Sequence, residues 1–160
     1  SGVLLLLLAA REPQLELFAL DQDQAAADLA EHNLQHNGLE GQIWTGSWSH
    51  GSLSPGSFDL VINPPYYAPG SGKDGGPARM EREELDTLCR AASRLLRNGG
   101  RFALSFPTQR MADLFEVMRR WDLEPKRLKL LSNTHQAPYA LLVEGVRQGK
   151  PGLQVLPCLE

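Results

Sequence analysis

Two hydrophobic periods alternate along the chain. Runs of apolar, β-branched and aromatic residues at positions 15–21, 42–47, 58–63, 101–106, 126–131 and 138–146 predict strands. Between them, apolar residues recur three and four apart. Positions 24–37 predict a helix with Ala26, Leu29, Ala30 and Leu34 inward, N-capped by Asp23 and closed by Asn37-Gly38. Positions 83–96 predict a second, with Leu85, Leu88, Ala92, Leu95 and Leu96 on its buried side and Asn98-Gly99-Gly100 at its end. Positions 109–121 predict a third. Alternation of strand and helix points to a parallel sheet covered on both faces, and two consecutive strands at the end predict a terminal antiparallel hairpin. The expected class is α/β, a doubly wound and mostly parallel sheet.

The opening stretch, Ser1-Gly2-Val3-Leu4-Leu5-Leu6-Leu7-Leu8-Ala9-Ala10, falls short of the about 18 apolar residues of a membrane span and lacks the basic start of a signal peptide. Leucine and alanine favour helix and Arg11-Glu12-Pro13 supplies a stop, so a short buried helix packed on a sheet is expected. A chain of 160 residues, 42% hydrophobic and 22% charged, fits one globular domain spanning residues 1–160. Its formal net charge of −3 creates no overall basic field, so any nucleic-acid contact needs a local patch; Lys126, Arg127 and Lys129 form the densest one. Cys89 and Cys158 make neither a disulfide framework nor a zinc site, which suits a reducing cytoplasm. His32 and His36 stand one helical turn apart, but Asn33 breaks the zinc-protease pattern, and no metal is expected.

The chemistry concentrates in Phe58-Asp59-Leu60-Val61-Ile62-Asn63-Pro64-Pro65-Tyr66-Tyr67. Leu60, Val61 and Ile62 predict a buried strand, and two prolines that cannot donate to a ladder must end it at Asn63. Residues preceding proline are pushed into extended backbone, so the Asn63 amide and nearby carbonyls form a fixed acceptor cluster at a sheet edge. Tyr66 and Tyr67 place aromatic faces beside those acceptors, an arrangement suited to a planar, amino-bearing group. Asp21 follows Gly2 by about 20 residues, the spacing that brings an acidic side chain onto a ribose hydroxyl in dinucleotide-type folds. The Gly- and Ser-rich loop at 68–77 follows the central strand, where doubly wound sheets carry substrate contacts.

Asn63-Pro64-Pro65-Tyr66 resembles the signature of S-adenosylmethionine-dependent methyltransferases that act on planar nitrogens: adenine N6, guanine N2 and glutamine amides. Together with positions 63–72, 78–81, 96–104, 143–145 and 149–157, the chain resembles the bacterial tRNA(Val) adenine-N6 methyltransferase family over nearly its whole length. Met80 departs from that pattern, where histidine is usual. The resemblance implies a class I, Rossmann-like methyltransferase fold, S-adenosyl-L-methionine as cofactor and RNA, tRNA above all, as substrate. It makes Asn63, Pro64, Pro65 and Tyr66 catalytic, with Tyr66, Tyr67, Lys73 and Arg79 on the substrate. It assigns Ser1, Gly2, Asp21, Gln22, Ser47, Trp48 and Asn63 to the cofactor, although Ser47 stands where an aspartate often binds the cofactor adenine. Ser1-Gly2 resemble the last two residues of a glycine-rich cofactor loop, so the first strand is expected upstream of them and its loss would split the sheet. Two other readings stand beside this one: protein glutamine N5-methylation through the same tetrad, and a non-catalytic RNA-binding domain that has lost the cofactor.

Overall fold

The computed structural model describes residues 2–47, 53–63, 82–134 and 136–159, with residues 82 and 83 in backbone only. The chain divides into two compact units, Ser1–His50 and Gly51–Glu160.

In the first unit, α1 (Val3–Arg11) is followed by β1 (Phe18–Asp21), α2 (Gln24–His36) and β2 (Gln42–Thr45). β1 and β2 pair in parallel, with Phe18 opposite Gln42 and Asp21 opposite Thr45, and the rings of Phe18 and Trp44 stack at 5.5 Å. α2 starts where the Asp23 carboxylate accepts from the Ala25 amide at 2.9 Å. It stops where Gly38, at φ 65°, lets the Leu39 amide reach back to the Leu34 carbonyl at 3.0 Å. Ala9, Leu17 and Leu34 form the buried core, with Leu5, Leu6, Leu8, Leu39 and Ile43 packed around them.

Three expectations need correction here. The inward stripe of α2 is Ala27, Ala30 and Leu34, whereas Leu29 is 48% exposed. The packed stripe is shifted by well under one residue's turn of ~100°, so that Ala27 joins it, Leu29 leaves it, and Ala30 and Leu34 stay inside. α1 buries one side only, and Val3 and Leu7, one turn apart, lie exposed on the other. The two strands are also shorter than the runs that predicted them, pairing only over Phe18–Asp21 and Gln42–Thr45.

The second unit contains β3 (Phe58–Asn63), α3 (Arg82–Leu95), β4 (Leu96–Pro107), a single 3-10 turn (Thr108–Arg110), α4 (Met111–Arg120), β5 (Leu123–Leu131), β6 (Ala140–Arg147) and β7 (Gln154–Val155). Their order is β3-β4-β6-β5-β7. β3 runs parallel to β4, and the expected hairpin is present as β5 and β6, with β6 inserted antiparallel between β4 and β5. Phe102, Leu104 and Phe106 of β4 register with Gly145, Val143 and Leu141 of β6, on one face of the sheet. That face is buried with Leu85, Leu88, Cys89 and Ala92 of α3 and Leu114, Val117 and Met118 of α4. The helices are tied to each other by Asp86, which accepts from the Arg120 guanidinium and from the Trp121 indole N–H, each at 3.0 Å. All five positions expected on the buried side of the second predicted helix are buried.

Leu60 departs from the buried strand expected around it, being 36% exposed. It registers with Arg101, so it shares the face opposite Phe102 and the helices, on a strand that pairs through β4 alone among the described residues. β4 begins five residues before the expected strand, directly after α3, with Gly99 at φ 77° taking the bend. β7 was not expected, since two residues carry no readable period. It belongs to a tail laid along β5, with the Leu156 amide on the Leu128 carbonyl at 2.7 Å and the Leu159 amide on the Leu130 carbonyl at 2.9 Å. No helix among the described residues is long and apolar enough to cross a membrane.

Phe102 is fully buried on a strand paired on both sides, so Phe102→Ala should lower the unfolding free energy by about 3–5 kcal/mol. Arg101→Ala, one residue away on the exposed face, should cost under about 1 kcal/mol. Equal losses in urea unfolding would show that the two faces are not packed as described.

Candidate functional site

The carboxyl ends of parallel strands are where a doubly wound sheet binds its ligands, because the strands stop there and the connecting loops splay apart. β1 and β2 end side by side at Asp21 and Thr45, and the Gly46 amide donates to the Asp21 carbonyl at 2.8 Å. The two chain turns that follow, at Gln22 and at Ser47, are thereby set next to each other. The Asp21 side chain is exposed, and its Oδ1 accepts from the Asp23 amide at 3.1 Å. This Asx turn fixes the carboxylate at the strand end and leads directly into the Asp23 cap of α2. Gln22 is exposed and Ser47 half-buried.

Gly2 precedes α1 with φ 71° and accepts from the Leu6 amide at 3.2 Å. A Cβ on Gly2 would lie 3.0 Å from the Ala30 Cα and 3.1 Å from its Cβ. Two separate constraints, a left-handed backbone and the closeness of α2, therefore demand glycine there. The first-turn amides of α1 lack intrahelical acceptors, and no acidic residue stands in that turn to cap them.

In the second unit, Asn63 is the last described residue of β3 and registers with Leu104 of β4. It is half-buried. Of the residues expected to act with it, Pro64, Pro65, Tyr66, Tyr67, Lys73 and Arg79 lie outside the described residues, as do Ser1 and Trp48 of the cofactor set. At the same end of this sheet, Thr108 joins the end of β4 to the β5–β6 loop, its hydroxyl donating to the Pro138 carbonyl at 2.7 Å. Pro138 and Tyr139, expected at the start of the last strand, lie instead in this loop, since β6 opens at Ala140.

Residues 1–120 match the methyltransferase small domain. The chain belongs to that family. A tRNA1(Val) (adenine(37)-N6)-methyltransferase of Porphyromonas gingivalis is 29% identical over 156 residues, covering 90% of this chain and 61% of the relative. The chain thus spans under two thirds of that relative's length. A release factor glutamine methyltransferase of Xylella fastidiosa is 37% identical over 70 residues, which is 42% of this chain and 25% of the relative. Among solved structures, one described as a predicted O-methyltransferase from Agrobacterium tumefaciens has a TM-score of 0.75 at 16% identity, covering 94% of this chain and 71% of its own. The fold is the class I methyltransferase fold, with the antiparallel β6 set between β4 and β5.

Two of the three basic residues of β5 make contacts within the fold. The Lys126 ammonium donates to the Lys150 carbonyl at 3.0 Å. Arg127 lies 3.9 Å from Glu144, which also faces Arg101 at 3.7 Å, so this charge closes a ladder across β4, β6 and β5. His32 and His36 stack with 6.2 Å between ring centroids, and among the described residues no three His, Cys, Asp or Glu side chains gather to hold a metal ion.

Cys89 sits in the α3 core, where burial first and the nearby Asp86 carboxylate second push its thiol up to about 12. A thiol held neutral to that pH is neither nucleophile nor ligand. Native protein at pH 8 should therefore release one equivalent of chromophore with a thiol-exchange reagent, from the exposed Cys158, and a second only on unfolding. Fast reaction of Cys89 in folded Cys158→Ser protein would contradict this packing.

Proposed function

We propose that the protein is an S-adenosyl-L-methionine-dependent N-methyltransferase that methylates adenine N6 in RNA, with tRNA as the substrate and the bacterial cytoplasm as its setting. The observation that carries this reading is Asn63 at the carboxyl end of β3, immediately followed in the chain by Pro64-Pro65-Tyr66. Membership of the methyltransferase family and the name of the Porphyromonas gingivalis relative support it.

The residues present suit the cofactor. A glycine without room for a side chain at the start of α1, and an exposed carboxylate fixed at the end of β1, are the features that a nucleoside-bearing ligand requires. Gly2 offers backbone to the methionine part, Asp21 accepts from the ribose hydroxyls, and Gln22, Ser47 and Trp48 flank the cofactor adenine. When bound, the cofactor supplies an activated methyl group.

The exocyclic nitrogen of adenine is a poor nucleophile because its lone pair is drawn into the ring. The Asn63 side-chain oxygen accepts one of its two hydrogens, and the Pro64 carbonyl accepts the other. Electron density at nitrogen rises, and the same acceptors would stabilise the positive charge as the N–C bond forms at the expense of the methyl–sulfonium bond, leaving S-adenosylhomocysteine, with the proton then passing to water. Pro65 fixes the backbone that aims them, and Tyr66 stacks on the flipped base at roughly 1–3 kcal/mol. Tyr67, Lys73 and Arg79 extend the contact to the surrounding RNA.

A second reading, methylation of a glutamine side-chain amide, is favoured by the Xylella fastidiosa relative and uses the same acceptors on another planar nitrogen. Labelled S-adenosylmethionine offered together with tRNA from cells lacking this gene and with a glutamine-bearing release-factor peptide separates the two. N6-methyladenosine in the digested tRNA is the expected product; label in the peptide alone would replace adenine by glutamine as the target.

Three substitutions probe the assigned roles. Asn63→Ala should lower kcat by about 10²–10³ with little change in RNA affinity, whereas Tyr66→Ala should raise KM as well. A well-folded Asn63→Ala protein with near-normal single-turnover methylation would remove this residue from the mechanism. Asp21→Ala should weaken S-adenosylhomocysteine binding by about 10- to 100-fold in calorimetry, the loss of a charge-assisted hydrogen bond. Unchanged affinity would assign Asp21 to the turn alone.

A further inference from the structure

Tyr139 is the one Phe, Tyr or Trp classed as exposed among the described residues, at 53%. It stands on the β5–β6 loop, directly before Ala140, which opens β6 opposite Pro107 at the carboxyl end of β4. Asn63 also ends at this edge, since it registers with Leu104, and Leu104 with Val143. Tyr139 therefore stands four residues beyond the level of Asn63, about 14 Å along the strands, and two strand spacings, about 10 Å, across them.

The backbone beneath this ring is held from three directions. The Tyr139 amide donates to the Leu131 carbonyl at 3.0 Å, and its carbonyl accepts from the Thr108 amide at 3.4 Å. The Thr108 hydroxyl fixes the preceding residue through the Pro138 carbonyl at 2.7 Å, and Pro138 restricts its own φ. The far side of the loop is strapped by the tail: the Ser132 amide donates to the Leu159 carbonyl at 3.1 Å. Within the loop the Gln136 amide closes on the Asn133 carbonyl at 2.9 Å. An apolar ring is thus kept in water on a pre-ordered support, and none of the bonds that order it uses the tyrosine side chain.

From this geometry we infer that Tyr139 is a stacking platform for an unpaired base of the RNA, next to but distinct from the adenine methylated at Asn63. The inference rests on the RNA reading above. Every base presents a π face, so such a platform holds single-stranded nucleotides without selecting their sequence, and its ring is large, amphipathic and costs little entropy to order. A protein with a net charge of −3 and with Lys126 and Arg127 engaged within its fold gains from a contact that does not depend on phosphate attraction. Tyr139 is a positioning residue: it anchors the strand flanking the target, and the reacting nitrogen does not touch it.

The test uses the whole protein with tRNA from cells lacking this gene. Tyr139→Ala should raise KM for that tRNA about 10-fold or more while kcat at saturating tRNA stays within about twofold. Tyr139→Phe should restore the wild-type KM, because the ring and not the hydroxyl makes the contact. The salt dependence of RNA binding should keep its slope in Tyr139→Ala, as no phosphate contact is lost, and S-adenosylhomocysteine affinity should be unchanged. A KM within twofold of wild type, an equal loss in Tyr139→Phe, or a flattened salt slope would overturn the platform while leaving RNA methylation standing. Failure of the wild-type protein to methylate RNA would overturn both readings.

Discussion

The burial of alternate β4 side chains is the constraint on which the second unit depends. Phe102, Leu104 and Phe106 point into the face covered by α3 and α4, and their neighbours in β6 are Gly145, Val143 and Leu141. A slip of one residue would carry that whole set to the exposed side, where Arg101 and Glu144 now stand. The register is therefore held by several buried side chains at once, and Asn63 inherits it through Leu104. A half-buried polar residue at a strand end is placed to within a fraction of a residue by apolar packing elsewhere. Gly145 shows how close that packing is, since a Cβ there would lie 2.5 Å from the Met118 terminal methyl.

In the first unit the governing feature is the end of a two-stranded parallel sheet. Asp21 is directed by an Asx turn and by the carbonyl bond from Gly46, and Gly2 by its contact with Ala30. These are backbone constraints, made by main-chain groups and by the absence of a side chain. In the proposed reaction the same division of labour holds. Fixed acceptors meet charge that develops during transfer, and because they are fixed before the reaction they need not reorganise when that charge appears.

Where sequence and structure agree, a strong local signal had no competitor. The α3 stripe of Leu85, Leu88, Ala92 and Leu95 is strictly helical in period, and Asp23 is a good N-cap ahead of an alanine-rich run. Where they differ, tertiary context decided. Leu29 and Leu60 are apolar and sit in the right elements, yet one lies off the packed stripe of α2 and the other on the open face of a strand paired through β4. The tail at Gln154–Val155 pairs through backbone groups that every sequence possesses, so no residue type announces it. The platform under Tyr139 was illegible for the same reason, as its support consists of Thr108, Leu131 and Leu159 meeting from three distant segments. The place of Asp21 at a strand end was legible because the apolar pattern before it stops there.

The account rests on a planar amine held by acceptors at the end of β3. A crystal structure of the protein with S-adenosylhomocysteine and adenosine addresses this directly. The adenine N6 is expected within about 3 Å of the Asn63 side-chain oxygen and of the Pro64 carbonyl, with Tyr66 against the base. Adenosine bound with N6 turned away from Asn63, while the cofactor product occupies the end of β1, would contradict it.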